Sequence, residues 1–196
     1  MPEIPESYRY YRADAANKTA LDLIIASDRM PAGFAMTEWP TYYQVRLAAE
    51  RVRTDFYSFM CTLWTETWGK ALTEQLPSSR SLRAGDDDEL DPSIDKVWSD
   101  HIVGNFLELP DPSWLWAEVD MPNDESVRLS FYVEEAGGGF RWSDGVQLSE
   151  PWLPADRENW RRTKSWHLDP TATSIDIGPL ARAATEVAHQ LGLRLR

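Results

Sequence analysis

The apolar residues of this chain keep two different periods, and the change between them constrains the fold more than any other feature. From Thr41 to Trp68, the residues Val45, Ala49, Val52, Phe56, Phe59, Met60, Leu63 and Trp64 recur at intervals of three and four. That spacing places them on one face of a long helix. From Leu115 onward the interval falls to two. Leu115, Ala117, Val119 and Met121 alternate with Trp114, Trp116, Glu118 and Asp120, and Val127, Leu129, Phe131 and Val133 alternate with Arg128, Ser130, Tyr132 and Glu134. Successive strand side chains point to opposite faces, so each run reads as a half-buried strand. Helices followed by strands indicate an α+β fold rather than a parallel α/β sheet.

The remaining elements follow from local signals. Ala16, Ala20, Leu23 and Ile24 predict a helix from about Ala13 to Ser27, ended by Pro31 and Gly33. Pro40 and Thr41 open the long helix, which ends at Gly69 or runs on to Pro77. Asp91-Pro92 reads as an N-cap with proline at the first helical position, starting a third helix through Ile94, Val97, Trp98 and Ile102. After the two strands, Gly137-Gly138-Gly139 supplies a turn. Phe140 and Trp142 then form a third strand, and Val146 and Leu148 a fourth beyond Ser143-Asp144-Gly145. A last helix runs from about Pro179 to Leu191. The expectation is one domain over 1–196, helical over about 1–110, with the sheet and C-terminal helix over about 111–196. An antiparallel meander of three to four strands would carry the long helix and the C-terminal helix on one face, leaving its tryptophan-bearing face partly open.

A chain of 196 residues can bury one sizeable core. No apolar run approaches the roughly 20 residues needed to span a bilayer. Met1 to Tyr11 holds Glu3, Glu6 and Arg9 and no apolar stretch, so no secretory signal is expected. One cysteine, Cys61, can close no intrachain disulfide, which fits a reducing, cytoplasmic setting. The net charge of -12 is unevenly placed. Residues 1–83 carry ten acids and ten bases, whereas residues 84–135 carry fifteen acids against Lys96 and Arg128. Such a segment repels nucleic acid and membrane phosphates and attracts basic partners.

Ten tryptophans accompany this acidity, and tryptophan is favoured at binding hot spots. The leading expectation is therefore a non-catalytic acidic module, such as an inhibitor, immunity or counter-defence protein. It would dock a basic protein surface, or its own copy in a homo-oligomer. Asp86, Asp87, Asp88, Glu89 and Asp91 would supply charge, with Trp98, Trp114 and Trp116 as anchors. The alternative is a metal-dependent hydrolase or nuclease. Glu118 and Asp120 share a strand face that Glu134 could oppose, and hard cations take clustered oxygen ligands. The lysine that usually follows a strand acid in such nucleases is missing from Glu134-Glu135-Ala136. There is no G-x-S-x-G, phosphate-binding glycine loop, C-x-x-C pair or H-E-x-x-H. No catalytic residue and no cofactor is implied.

His101, His167 and His189 do not cluster in sequence, and Cys61 sits among apolar helix residues as an inert thiol. Trp160 to His167 interleaves bases with aromatics, as single-strand binders do. It is one short patch in an acidic chain, better suited to pairing with the acidic segment or with a partner. Finally, the strand Val127–Val133, the glycine turn, the short strand entering Ser143-Asp144-Gly145 and the helix Leu180–Leu191 together resemble an uncharacterised domain family met in prophage and mobile-element proteins. That family usually has a threonine and two acids before the glycine, where Trp142-Ser143-Asp144 stands here. The resemblance covers about a third of the chain and implies a phage, defence or toxin context without an activity.

Overall fold

The computed structural model describes residues 1–27, 37–78, 80–81, 93–123, 125–135, 148–149, 151–154 and 161–194. Helices α1 (Glu6–Ala13) and α2 (Ala15–Ala26) precede the long α3 (Trp39–Trp64), which passes through a π turn (Thr65–Gly69) into α4 (Lys70–Gln75). A two-residue strand β1 (Arg80–Ser81) and helix α5 (Ile94–Asp100) lead to β2 (Ile102–Glu108), β3 (Ser113–Asn123) and β4 (Ser126–Glu135). The chain continues through β5 (Leu153–Pro154), β6 (Arg162–His167) and α6 (Gly178–Arg194). The fold is α+β, with one antiparallel sheet in the order β1-β2-β3-β4-β6-β5.

The long helix and the central strands match their periods. Val52, Phe56, Phe59, Met60 and Leu63 of α3 are buried against Leu115, Ala117, Val119 and Met121 of β3 and Leu129 and Phe131 of β4, within one continuous core. Fully burying a side chain of this kind contributes roughly 1.5–3 kcal/mol, so this seam is a substantial part of the stability. The π turn lies at the end of α3. There the indole N–H of Trp64 donates to the Ala117 carbonyl at 2.9 Å, and that of Trp68 to the Glu118 carbonyl at 2.8 Å. Two successive carbonyls of the central strand are thus held from the helical layer. Gly69 lets the Trp64 ring lie against the turn, because a Cβ there would stand 3.0 Å from that ring.

Other boundaries differ from expectation for identifiable reasons. The first predicted helix is α2, and a further helix, α1, precedes it. Asp14 separates the two and caps α2, its carboxylate accepting from the N–H of Ala16 at 2.7 Å and of Asn17 at 3.3 Å. The additional helix α1 is held by buried Tyr8 and Tyr11, whose rings stack at 5.8 Å. The third helix stops at Asp100 and does not include Ile102. His101 adopts a left-handed φ of 56° and donates its N–H to the Val97 carbonyl at 2.9 Å, turning the chain into β2. Strand β6 lies in what reads as a basic tail, because Arg162 and Lys164 interrupt any apolar alternation. The strands expected over 140–148 fall outside the described residues apart from Leu148. Helix α6 packs chiefly on α4 and the π turn, while α3 lies on β2 and β3, so the C-terminal helix joins the helical layer beside the sheet. Among the described residues no helix is long and apolar enough to cross a membrane.

Candidate functional site

Directly opposed residues of antiparallel strands share a face, so register sorts the side chains opposite the core into rows. The first row is Arg80–Glu108–Trp114–Glu134 and the second is Phe106–Trp116–Tyr132. The third is Gly104–Glu118–Ser130–Thr163, and the fourth is Ile102–Asp120–Arg128–Ser165. This outward face therefore grades from aromatic residues flanked by Glu108, Glu134 and Arg80 at one end to paired charges at the other.

The aromatic row is a packed unit. Phe106 and Trp116 have ring centroids 4.6 Å apart, Phe106 and Tyr132 6.0 Å, and Trp116 and Tyr132 6.4 Å. Gly104 makes room for the Trp116 ring, since a Cβ there would stand 2.3 Å from it. All three rings are half-buried, as is Trp114 in the row beside them, where Glu134 is half-buried and Glu108 exposed. Burial pushes the Tyr132 hydroxyl up to about 12, and the charges of Glu134 and Glu118 push in the same direction.

The paired-charge end is buried. Asp120 has no exposed surface and accepts a fork from Arg128, with Nε at 2.9 Å from both carboxylate oxygens and Nη2 at 2.6 Å from Oδ2. Glu118 is 2% exposed; its Oε2 accepts the Trp116 indole N–H at 2.5 Å, and Arg161 Nη1 lies 3.2 Å from Oε1. Burial raises both carboxyls above their ordinary range. Arg161 and the Trp116 hydrogen bond pull Glu118 back down, while Asp120 adds to the rise. Arg128 opposes the rise at Asp120. The Ser130 hydroxyl lies near enough to favour ionised Glu118. Yet Ser130 Oγ, Glu118 Oε1 and Thr163 Oγ1 are all buried without a hydrogen bond of ordinary geometry.

The sequence candidates separate on this frame. Asp86, Asp87, Asp88, Glu89 and Asp91 lie outside the described residues. Trp98 is 9% exposed and packs edge-on against Phe56 at 5.7 Å and Tyr11 at 5.0 Å, so it is a core residue and cannot anchor a partner. Trp114 and Trp116 stand on the outward sheet face. The metal alternative does not hold together as a ligand set. Arg128 and Arg161 occupy Asp120 and Glu118, and the aromatic row separates Glu134 from Glu118. Among the described residues no group of three His, Cys, Asp or Glu side chains is placed to hold a metal ion. A third acid of the central segment, Asp95, is paired with Arg53.

Sequence reasoning missed Glu108, Phe106, Gly104 and Arg161. The first three were hidden by extending the third helix into β2, and an alternation test restarted at Ile102 would have found them. Arg161 stands in the basic patch 160–167, whose pairing with the acidic segment takes the form of its contact with Glu118. No family model matches the chain, and no curated protein or solved structure is detectably similar to it.

Proposed function

We propose that the outward sheet face is a non-catalytic docking surface for a basic protein partner, in the manner of an inhibitor, immunity or counter-defence protein. The observation that carries this reading is Trp114 placed in register between Glu108 and Glu134, beside the Phe106–Trp116–Tyr132 row. A lysine or arginine over an indole gains roughly 0.5–2 kcal/mol, depending on how fully it is desolvated. Flanking carboxylates add attraction and speed encounter, while the neighbouring rings provide apolar contact area. Arg80 of β1 stands opposite Glu108 in this row, whereas Glu134, on the other side of Trp114, has no ion-pair partner among the described residues. The net charge of -12 favours approach of a basic surface over nucleic acid or an anionic membrane.

The test is titration of the full chain with a lysine- and arginine-rich probe peptide at low and high salt. Replacing Trp114 by Ala is expected to weaken binding at least about tenfold, which is about 1.4 kcal/mol. The double change Glu108→Gln with Glu134→Gln is expected to flatten the salt dependence. Unaltered affinity and salt slope in both variants would remove the reading.

A further inference from the structure

The two arginine–carboxylate pairs on the outward face differ in quality. Arg128 grips Asp120 through three contacts of 2.6–2.9 Å, a full charge-assisted fork. Arg161 meets Glu118 through a single approach of 3.2 Å. Its Nε is buried with no hydrogen-bond partner, as is Thr163 Oγ1, while Glu118 Oε1 has only the Arg161 approach and Ser130 Oγ lies near enough to favour ionised Glu118 without a bond of ordinary geometry. Glu118, Ser130 and Thr163 belong to one register row across β3, β4 and β6 and are 2%, 0% and 9% exposed. An unsatisfied buried polar atom costs roughly 1–3 kcal/mol, so a single-contact pair flanked by Arg161 Nε and Thr163 Oγ1 is held less firmly than the Arg128 fork.

We infer that Glu118, Ser130 and Thr163 form a receptor for an arginine side chain of the basic partner, and that Arg161 occupies this receptor in cis until the partner displaces it. The inference rests on the docking reading above and names the group that docks. The three oxygens are all acceptors, and a guanidinium carries five N–H donors in a fixed fork. Trp116 fixes Oε2 of Glu118 through its indole N–H, leaving Oε1 for the guest. The Arg161 side chain is 24% exposed and Arg128 25%, so both reach solvent, and what sets Arg161 apart is its single contact against the three of Arg128. The exchange is neutral in charge. One guanidinium leaves as another enters, so the buried cluster of Glu118, Asp120 and Arg128 gains no unpaired charge. A cation added without removing Arg161 would.

Argininamide and its uncharged isostere citrullinamide are suitable probes on the full chain, followed by the Trp116 indole N–H resonance. Arg161→Ala is expected to bind argininamide at least about tenfold more tightly than the unmodified chain, because no internal competitor remains. Citrullinamide should not bind, and Glu118→Gln added to Arg161→Ala should abolish the gain. Arg161→Gln, which keeps most of the packing, serves as the second variant should the alanine form fold poorly. Binding no tighter in either Arg161 variant, or a gain that survives Glu118→Gln, overturns the inference. If the basic probe peptide still depends on Trp114 in that event, the docking face stands and only the receptor falls. If the peptide binds no variant, both fall.

Discussion

Gly104 lacks a side chain where Trp116 needs the space, and this position shows how closely the outward face is built. Gly104→Ala drives a methyl group into the indole, and overpacking of this kind costs roughly 1–3 kcal/mol. The expected outcome is a lowered unfolding free energy in urea together with a displaced Trp116 indole N–H resonance. An unmoved resonance would mean that the row is looser than its ring distances indicate. Glu118 carries the second residue-scale expectation. Its folded-state acidity is weakened by burial, so the folded protein binds its proton more tightly than the unfolded chain does. The buried charge therefore burdens folding at neutral pH, and the burden lifts as pH falls through the raised value. Relative to Glu118→Gln, the unmodified chain should gain thermal stability as pH falls from neutral toward the ordinary carboxyl value of 4.5. A relative loss over that range would show that Arg161 holds Glu118 ionised after all.

The π turn couples the two layers at the scale of elements. Trp64 and Trp68 reach successive carbonyls of β3, which fixes the long helix along the strand as well as against it. Trp68→Phe keeps most of the buried ring and removes the donor, for an expected cost of about 1–3 kcal/mol by chemical denaturation. A change near zero would leave the indole bond without a role in the docking of α3. The long helix and strands β3 and β4 were legible in the sequence because a single apolar face sets the period of each. The start of β2 was not. Ile102 falls at helical spacing from Trp98, and only the left-handed backbone at His101 separates the two elements. Strand β6 was hidden differently. It lies between β4 and the two-residue β5, and Arg162 and Lys164 erase the alternation that marks a strand.

Across the whole molecule, the acidic imbalance was visible in the chain but its distribution was not. Asp95, Glu118 and Asp120 are taken up by Arg53, Arg161 and Arg128, whereas Glu108 and Glu134 frame Trp114 on the outward face. Sequence alone could place Glu118, Asp120 and Trp116 on one strand face. It could not reveal that Arg128 of β4 and Arg161, just before β6, neutralise the two acids, because those contacts depend on register between distant segments. The docking surface that results combines residues of three strands, only one of which reads as acidic and aromatic. The most direct test is a two-dimensional NMR map of the chain on addition of a lysine- and arginine-rich peptide. Shifts should gather at the indole N–H groups of Trp114 and Trp116 and at the amides of Phe106, Glu108, Tyr132 and Glu134. Shifts confined to helices α1 to α3, or to the Asp86–Asp91 stretch with the sheet unmoved, would contradict the account.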